Sequence, residues 1–274
     1  TAALIFALSF TSCTKDNVNE EAYNNASISN GGIMFDKFWS TESDFDQSSP
    51  NLATVSASGD FFRCKQCHGW DGLGNKGAYI NRGAKTSRPH VSSVSLFELA
   101  QEDSPDEIFE ELKKTSGRRD ISNDLSGYDP ESNSTDGDKM PNLNQLLTDS
   151  QLWDLVKFLK EGMFDVTELY DATYTGSYPT GSMVITNVGR DGNAANGNTF
   201  YTANCAACHG VDGTSIEMEG MTLGKFTRSK ANEVQHKVKY GTLGTMMAGK
   251  FDITLNQMKD LYKALADTDA FPDE

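Results

Sequence analysis

The chemistry of this chain concentrates in a nine-residue pattern that occurs twice. Cys64-Lys65-Gln66-Cys67-His68-Gly69-Trp70-Asp71-Gly72 and Cys205-Ala206-Ala207-Cys208-His209-Gly210-Val211-Asp212-Gly213 both read C-x-x-C-H-G-x-D-G, 141 residues apart. Two thiols three residues apart share one face of a helical turn, and an imidazole follows at once. Such a set suits zinc, dithiol redox chemistry or covalent haem. A Cys₄ zinc site would draw thiols from both copies and leave both His idle. A thioredoxin-like dithiol lacks its βαβ setting. Haem attachment uses every group: the thiols add to the two vinyl substituents and the His sits beneath the iron. The cysteine count then closes, with Cys64, Cys67, Cys205 and Cys208 for two covalently bound haem c groups and Cys13 left over.

Each copy must be presented by helices. Ser104-Pro105-Asp106-Glu107 reads as an N-cap, a Pro in the first turn and a capping-box Glu, opening a helix toward Gly117. Ser150 is a candidate cap for an apolar stripe from Leu152 to Leu159, closed by Gly162. The second half repeats the plan: a helix after Ser229 ends at Gly241, and Leu255, Met258, Leu261, Tyr262 and Leu265 form a last stripe. A Gly and an aromatic pair precede each motif (Gly59, Phe61, Phe62; Gly197, Phe200, Tyr201). Residues 31–50 read as an extra aromatic segment packed on the first unit, without a counterpart in the second. Met183-Val184-Ile185-Thr186 reads as a short strand in an otherwise irregular connector.

Residues 1–12 (Thr1 to Ser12) read as the remnant of a secretory signal peptide. Thr11-Ser12-Cys13 resembles a bacterial lipobox, which makes Cys13 a lipid anchor. Residues 13–30 are polar and read as a flexible tether. The expected division is then 31–162 for a first domain with its extension, 163–193 for the connector and 194–274 for a second domain.

Net charge is −15, with 39 acidic and 24 basic residues, which excludes nucleic acid as the main partner. Locally the balance inverts. Six bases and one acid lie between Arg63 and Arg88, and seven acids without a base between Glu98 and Glu111. A basic collar beside one haem would steer an acidic redox partner.

With its paired motifs and cap-delimited helices, the chain resembles a tandem of class I cytochrome c domains, over roughly 51–162 and 194–268. The resemblance implies an all-α fold, a helix carrying C-x-x-C-H, a Met loop, and a C-terminal helix crossing the first. Gly31-Gly32-x-x-Phe35-Asp36-Lys37-x-Trp39 together with Arg63 to Asp71 further resembles a subgroup of exported dihaem cytochromes, some related to thiosulfate dehydrogenases. His68 and His209 are the implied proximal iron ligands. Met140-Pro141 matches the family's distal Met loop, with Asp120 to Lys139 as an insertion. In the second half the distal ligand is Met246 or Met247; counting from Gly241 favours Met247, although Ala248 stands where the family has Pro. Met218 and Met221 fall too close to the motif. His90 and His236 are the unassigned imidazoles of a rival bis-His scheme, and Lys76 or Lys85 stays open as a ligand. Trp70, Tyr79, Phe97 and Trp153 are expected around the first haem.

The function implied is electron transfer between respiratory partners (an oxidase, a reductase or a quinol-oxidising complex) at the periplasmic or cell-surface side of a membrane, with lipid tethering. A thiosulfate dehydrogenase-like or peroxidase-type oxidoreductase and a subunit of a larger respiratory complex are the alternatives.

Overall fold

The computed structural model describes residues 15–40 and 45–274. The expected signal remnant and Cys13 lie outside the described residues. The chain is helix-rich: α1 Lys15–Asn25, α2 Ile28–Lys37, α3 Leu52–Ala57, α4 Cys64–His68, α5 Leu96–Glu102, α6 Pro105–Lys113, α7 Asp149–Lys157, α8 Ala194–Asn204, α9 Ala206–His209, α10 Leu223–Ser229, α11 Ala231–Tyr240 and α12 Leu255–Leu265. Two large buried apolar clusters form among the described residues. One gathers α2, α7 and the segment before α4; the other gathers α8, α10, α11 and α12.

The two halves share a set of equivalent bonds. In the second, Asn193 caps α8, its amide donates to Asp260 Oδ1 (2.7 Å), and Asn196 reaches Asp260 Oδ2 (3.3 Å). In the first, Ser27 caps α2, its amide donates to Asp154 Oδ1 (2.6 Å), and Asn30 reaches Asp154 Oδ2 (3.5 Å). Gly197 and Gly31 then sit where a Cβ would strike the carbonyl of that same Asp, so α8 crosses α12 and α2 crosses α7 at backbone contact. Further on, α5 and α10 start alike, with Leu96 N on Gly72 O (2.6 Å) and Leu223 N on Gly213 O (3.0 Å). The closing helices carry the same capping box, Thr148 with Gln151 and Thr254 with Gln257.

This equivalence corrects four expectations. Residues 31–50 are not an addition without a counterpart: α2 is the partner of α8, and residues 38–63 separate it from its motif. The polar stretch expected as a flexible tether is helical in α1 and runs into the cap of α2. Ala22, Tyr23, Ala26 and Ile28 pack on the first cluster, Tyr23 Oη donates to Glu161 (2.6 Å) and Lys157 Nζ to the Asn24 carbonyl (2.8 Å). Thr148 rather than Ser150 caps α7, because its hydroxyl and Gln151 satisfy each other's end of the turn. Finally, the connector is not irregular, and the strand expected at Met183–Thr186 is present within it. Asp171–Thr175 (β1) and Ser182–Thr186 (β2) form an antiparallel hairpin with Asp171 opposite Thr186.

The halves meet along α11. Gln235 Nε2 donates to the Trp70 carbonyl (2.8 Å), and Lys239 Nζ and Tyr240 Oη both donate to the Gly162 carbonyl (3.0 and 2.8 Å). The Tyr240 ring lies where a Cβ on Gly32 would be and belongs to the first cluster.

Candidate haem sites

Each motif forms one short helical turn. Gly69 N bonds Lys65 O (3.0 Å) and Gly210 N bonds Ala206 O (2.9 Å). The chain then leaves through a positive φ, +75° at Gly69 and +83° at Gly210, where a Cβ would press on the side chains of the next loop. The motif's Asp holds that loop. Asp71 accepts from the amides of Leu73 (3.2 Å) and Ala78 (2.7 Å); Asp212 accepts from the Thr214 amide (3.2 Å) and hydroxyl (2.8 Å).

All four motif cysteines are free of disulfides. Burial pushes the Cys64 and Cys67 thiols up to about 12 and Cys205 up to about 11. These thiols therefore stay protonated. If haem is attached here, these sulfurs would hold its two vinyl carbons as thioethers, the hydrogen of each S–H going to the other vinyl carbon. Burial lowers the His68 imidazole to about 4, against a small opposing pull from the Val94 backbone, and lowers His209 as well. Both rings are held neutral, with a lone pair for a metal. The Nδ1 atoms of His68 and His209 are buried without a hydrogen-bond partner among the described residues. Cys64, Cys67 and His68 are each half-buried. Two thiols and a neutral imidazole on one turn, with orphaned ring nitrogens, fit covalent haem in both places.

The methionine loops close alike. Arg119 N donates to Met140 O (3.0 Å) and Asn142 N to Arg119 O (2.8 Å), two residues after Gly117; Thr242 N donates to Met247 O (3.0 Å), one residue after Gly241. Gly117 and Gly241 both take positive φ, +76° and +82°. Met246 is 96% exposed, whereas Met247 is half-buried against the second cluster. Met218 and Met221 pair with each other through their backbones (2.8 and 3.1 Å). His236 is enclosed at the junction by Trp70, Tyr240, Phe35 and Phe158, with ring centroids 4.9 to 6.0 Å away. His90 has its Nδ1 beside Asp138 Oδ1 (2.9 Å) and Tyr128 Oη (3.0 Å). Lys76 pairs with Glu98 (3.2 Å) and Lys85 is exposed. Trp153 stacks on Phe109 (4.2 Å), while Trp70, Tyr79 and Val91 form a small cluster of their own. Much of the basic stretch is engaged internally: Arg63 with Asp36, Arg82 with Gln66, Lys65 over the Trp70 ring at 4.4 Å.

One residue escaped the sequence reading. Arg119 is 1% exposed; its Nη2 donates to the Phe61 carbonyl (2.8 Å) and its guanidinium lies 4.6 Å over Phe62, yet Nε and Nη1 have no partner among the described residues. A buried, permanently charged fork with spare donors suits a carboxylate, and haem carries two. The only hint in the sequence is the Arg118-Arg119 pair after Gly117.

Residues 60–162 match the family model described as cytochrome c, and residues 192–263 match that of cytochrome c oxidase, cbb3-type, subunit III. No curated protein and no solved structure matches the chain. Taken with the helix-rich fold, the two matches support a c-type cytochrome, a protein that binds haem c covalently and transfers electrons.

Proposed function

We propose that this chain is an exported dihaem cytochrome c, two tandem class I domains held at the outer face of a bacterial membrane by lipid on Cys13. It passes single electrons between respiratory partners. In this reading Cys64 and Cys67 hold one haem, with His68 and Met140 as axial ligands. Cys205 and Cys208 hold the other, with His209 and Met247. The observation that carries the reading is the repeat itself: the same turn, the same helix crossing and a Met loop closed within two residues of a left-handed Gly, twice in one chain.

When bound, each haem supplies one-electron chemistry at an iron that alternates between ferric and ferrous. The protein's part is to hold and shield. The fused turns fix the thiols and imidazole, the Met loops present a soft thioether that favours ferrous iron, and α11 fixes one half against the other. Arg119 offers a buried positive charge near Cys67.

The test is the intact mass of the protein matured in a host competent for c-type haem attachment. Two haem masses are expected, with Cys64→Ala/Cys67→Ala and Cys205→Ala/Cys208→Ala each removing one. An apoprotein mass sinks the reading. The similarity of the second half to an oxidase subunit family supports a second reading, a subunit of a larger respiratory complex. A native membrane extract in which the protein runs at the size of a single copy, free of other subunits, would dismiss it.

A further inference from the structure

The loop after α11 closes around one sulfur atom. The Thr242 amide donates to the Met247 carbonyl (3.0 Å), and the Thr242 hydroxyl donates to Met247 Sδ (3.4 Å). Thr245 completes the ring: its hydroxyl accepts from the Met247 amide (3.1 Å) and donates to the Thr242 carbonyl (2.8 Å). Gly241 packs so closely that a Cβ there would press on the Met247 carbonyl. Immediately upstream, Lys239 and Tyr240 are bonded to the Gly162 carbonyl of the first half. The Met247 sulfur is thus tied through a single hydroxyl to a helix end that the first half itself anchors. The Met140 loop has the matching backbone bond but Arg119, not a hydroxyl residue, at the position of Thr242.

We propose that Thr242 is a positioning residue for Met247: its hydroxyl holds one sulfur lone pair while leaving the other for iron, and so tunes the second site alone. This rests on the reading of Met247 as the distal ligand. A thioether is a weak acceptor, but a bond to it withdraws density from the sulfur. A poorer donor stabilises ferric iron less, so the bond raises the reduction potential. It also restrains the side chain against displacement by an outside ligand.

The experiment uses the holoprotein and three substitutions, Thr242→Val (near-isosteric), Thr242→Ala (smaller) and Thr242→Ser (hydroxyl retained). Valine and alanine are expected to lower one midpoint potential and leave the other unchanged. The same two should raise the affinity of ferric protein for imidazole at that haem by about five- to tenfold, in keeping with the loss of one modest hydrogen bond. Serine should keep wild-type values in both assays. Wild-type potentials and imidazole affinity in both the valine and alanine proteins would overturn the proposal. A Met247→Ala protein separates the two levels of inference. If it loses one near-infrared sulfur-to-iron band while the Thr242 proteins are silent, only the role of Thr242 falls. If it keeps the band at both haems, the ligand reading falls and the proposal with it.

Discussion

The two motifs are alike in sequence and unlike in setting. The first motif is the more enclosed: burial raises both of its thiols, whereas Cys208 in the second is exposed. The contrast is sharpest at the shared Asp. Asp71 is 1% exposed and burial raises it to about 6, against two backbone donors; Asp212, bonded to Thr214 near the surface, is lowered instead. One residue type in one motif is thus shifted in opposite directions by its surroundings. The motif provides the attachment chemistry, while depth in the protein decides how strongly charge is resisted there. An enclosed haem is expected to resist the extra positive charge of ferric iron and to have the higher potential.

Redox titration puts that contrast under the most strain. Two components separated by on the order of 100 mV are expected, the higher belonging to the first site; it should vanish in Cys64→Ala/Cys67→Ala. A higher potential at the second site would break the comparison.

Next come the helix crossings, where the halves should behave alike. Gly31→Ala and Gly197→Ala each force a methyl onto an Asp carbonyl, and each is expected to cost about 3 kcal/mol in denaturant unfolding. A cost at Gly197 with none at Gly31 would deny the equivalence of α2 and α8.

Between the halves, His236 is enclosed and lowered to about 4 by burial, with Asp36, Lys65 and Lys239 as the charges it feels. The unfolded chain takes up a proton there near 6.5 and the folded protein only near 4. Stability should therefore fall as pH drops through that window, by up to about 3 kcal/mol. His236→Gln should flatten that part of the profile; an unchanged profile would place the group elsewhere.

The smallest effect concerns the loop carboxylates. Asp71→Asn leaves a buried amide facing two backbone donors and should cost about 1–2 kcal/mol, Asp212→Asn less than 1. Equal costs by thermal unfolding would erase the difference in depth.

Much of this was legible in the residues. C-x-x-C-H-G-x-D-G is a dense local pattern, and Ser104-Pro105-Asp106-Glu107 opens α6 as written, with its capping box formed. The role of Gly31 was not legible. Its aromatic partner Phe35 is separated from Cys64 by a long excursion, whereas the nearer Gly59, Phe61 and Phe62 imitate the Gly and aromatic pair that precede Cys205. The shared contact of Gly31 and Gly197 with an Asp carbonyl, and the cap bonds to the same Asp, distinguish the true equivalent, and in the first half they span more than a hundred residues. The polar α1 and the short α5 and α10 carry too little periodicity to announce themselves. Arg119 was hidden for a related reason: nothing in the local sequence says that a guanidinium will be enclosed.

The Tyr240 ring, lodged over Gly32 inside the neighbouring cluster, has a practical consequence for anyone cutting this molecule apart. The exposed tip of the hairpin, near Gly176, is an obvious place for a protease to nick. The fragments from such a nick should nevertheless travel together through a sizing column, because the aromatic plug and the doubly held Gly162 carbonyl lie elsewhere. Clean separation into halves would require loosening that plug as well as breaking the peptide.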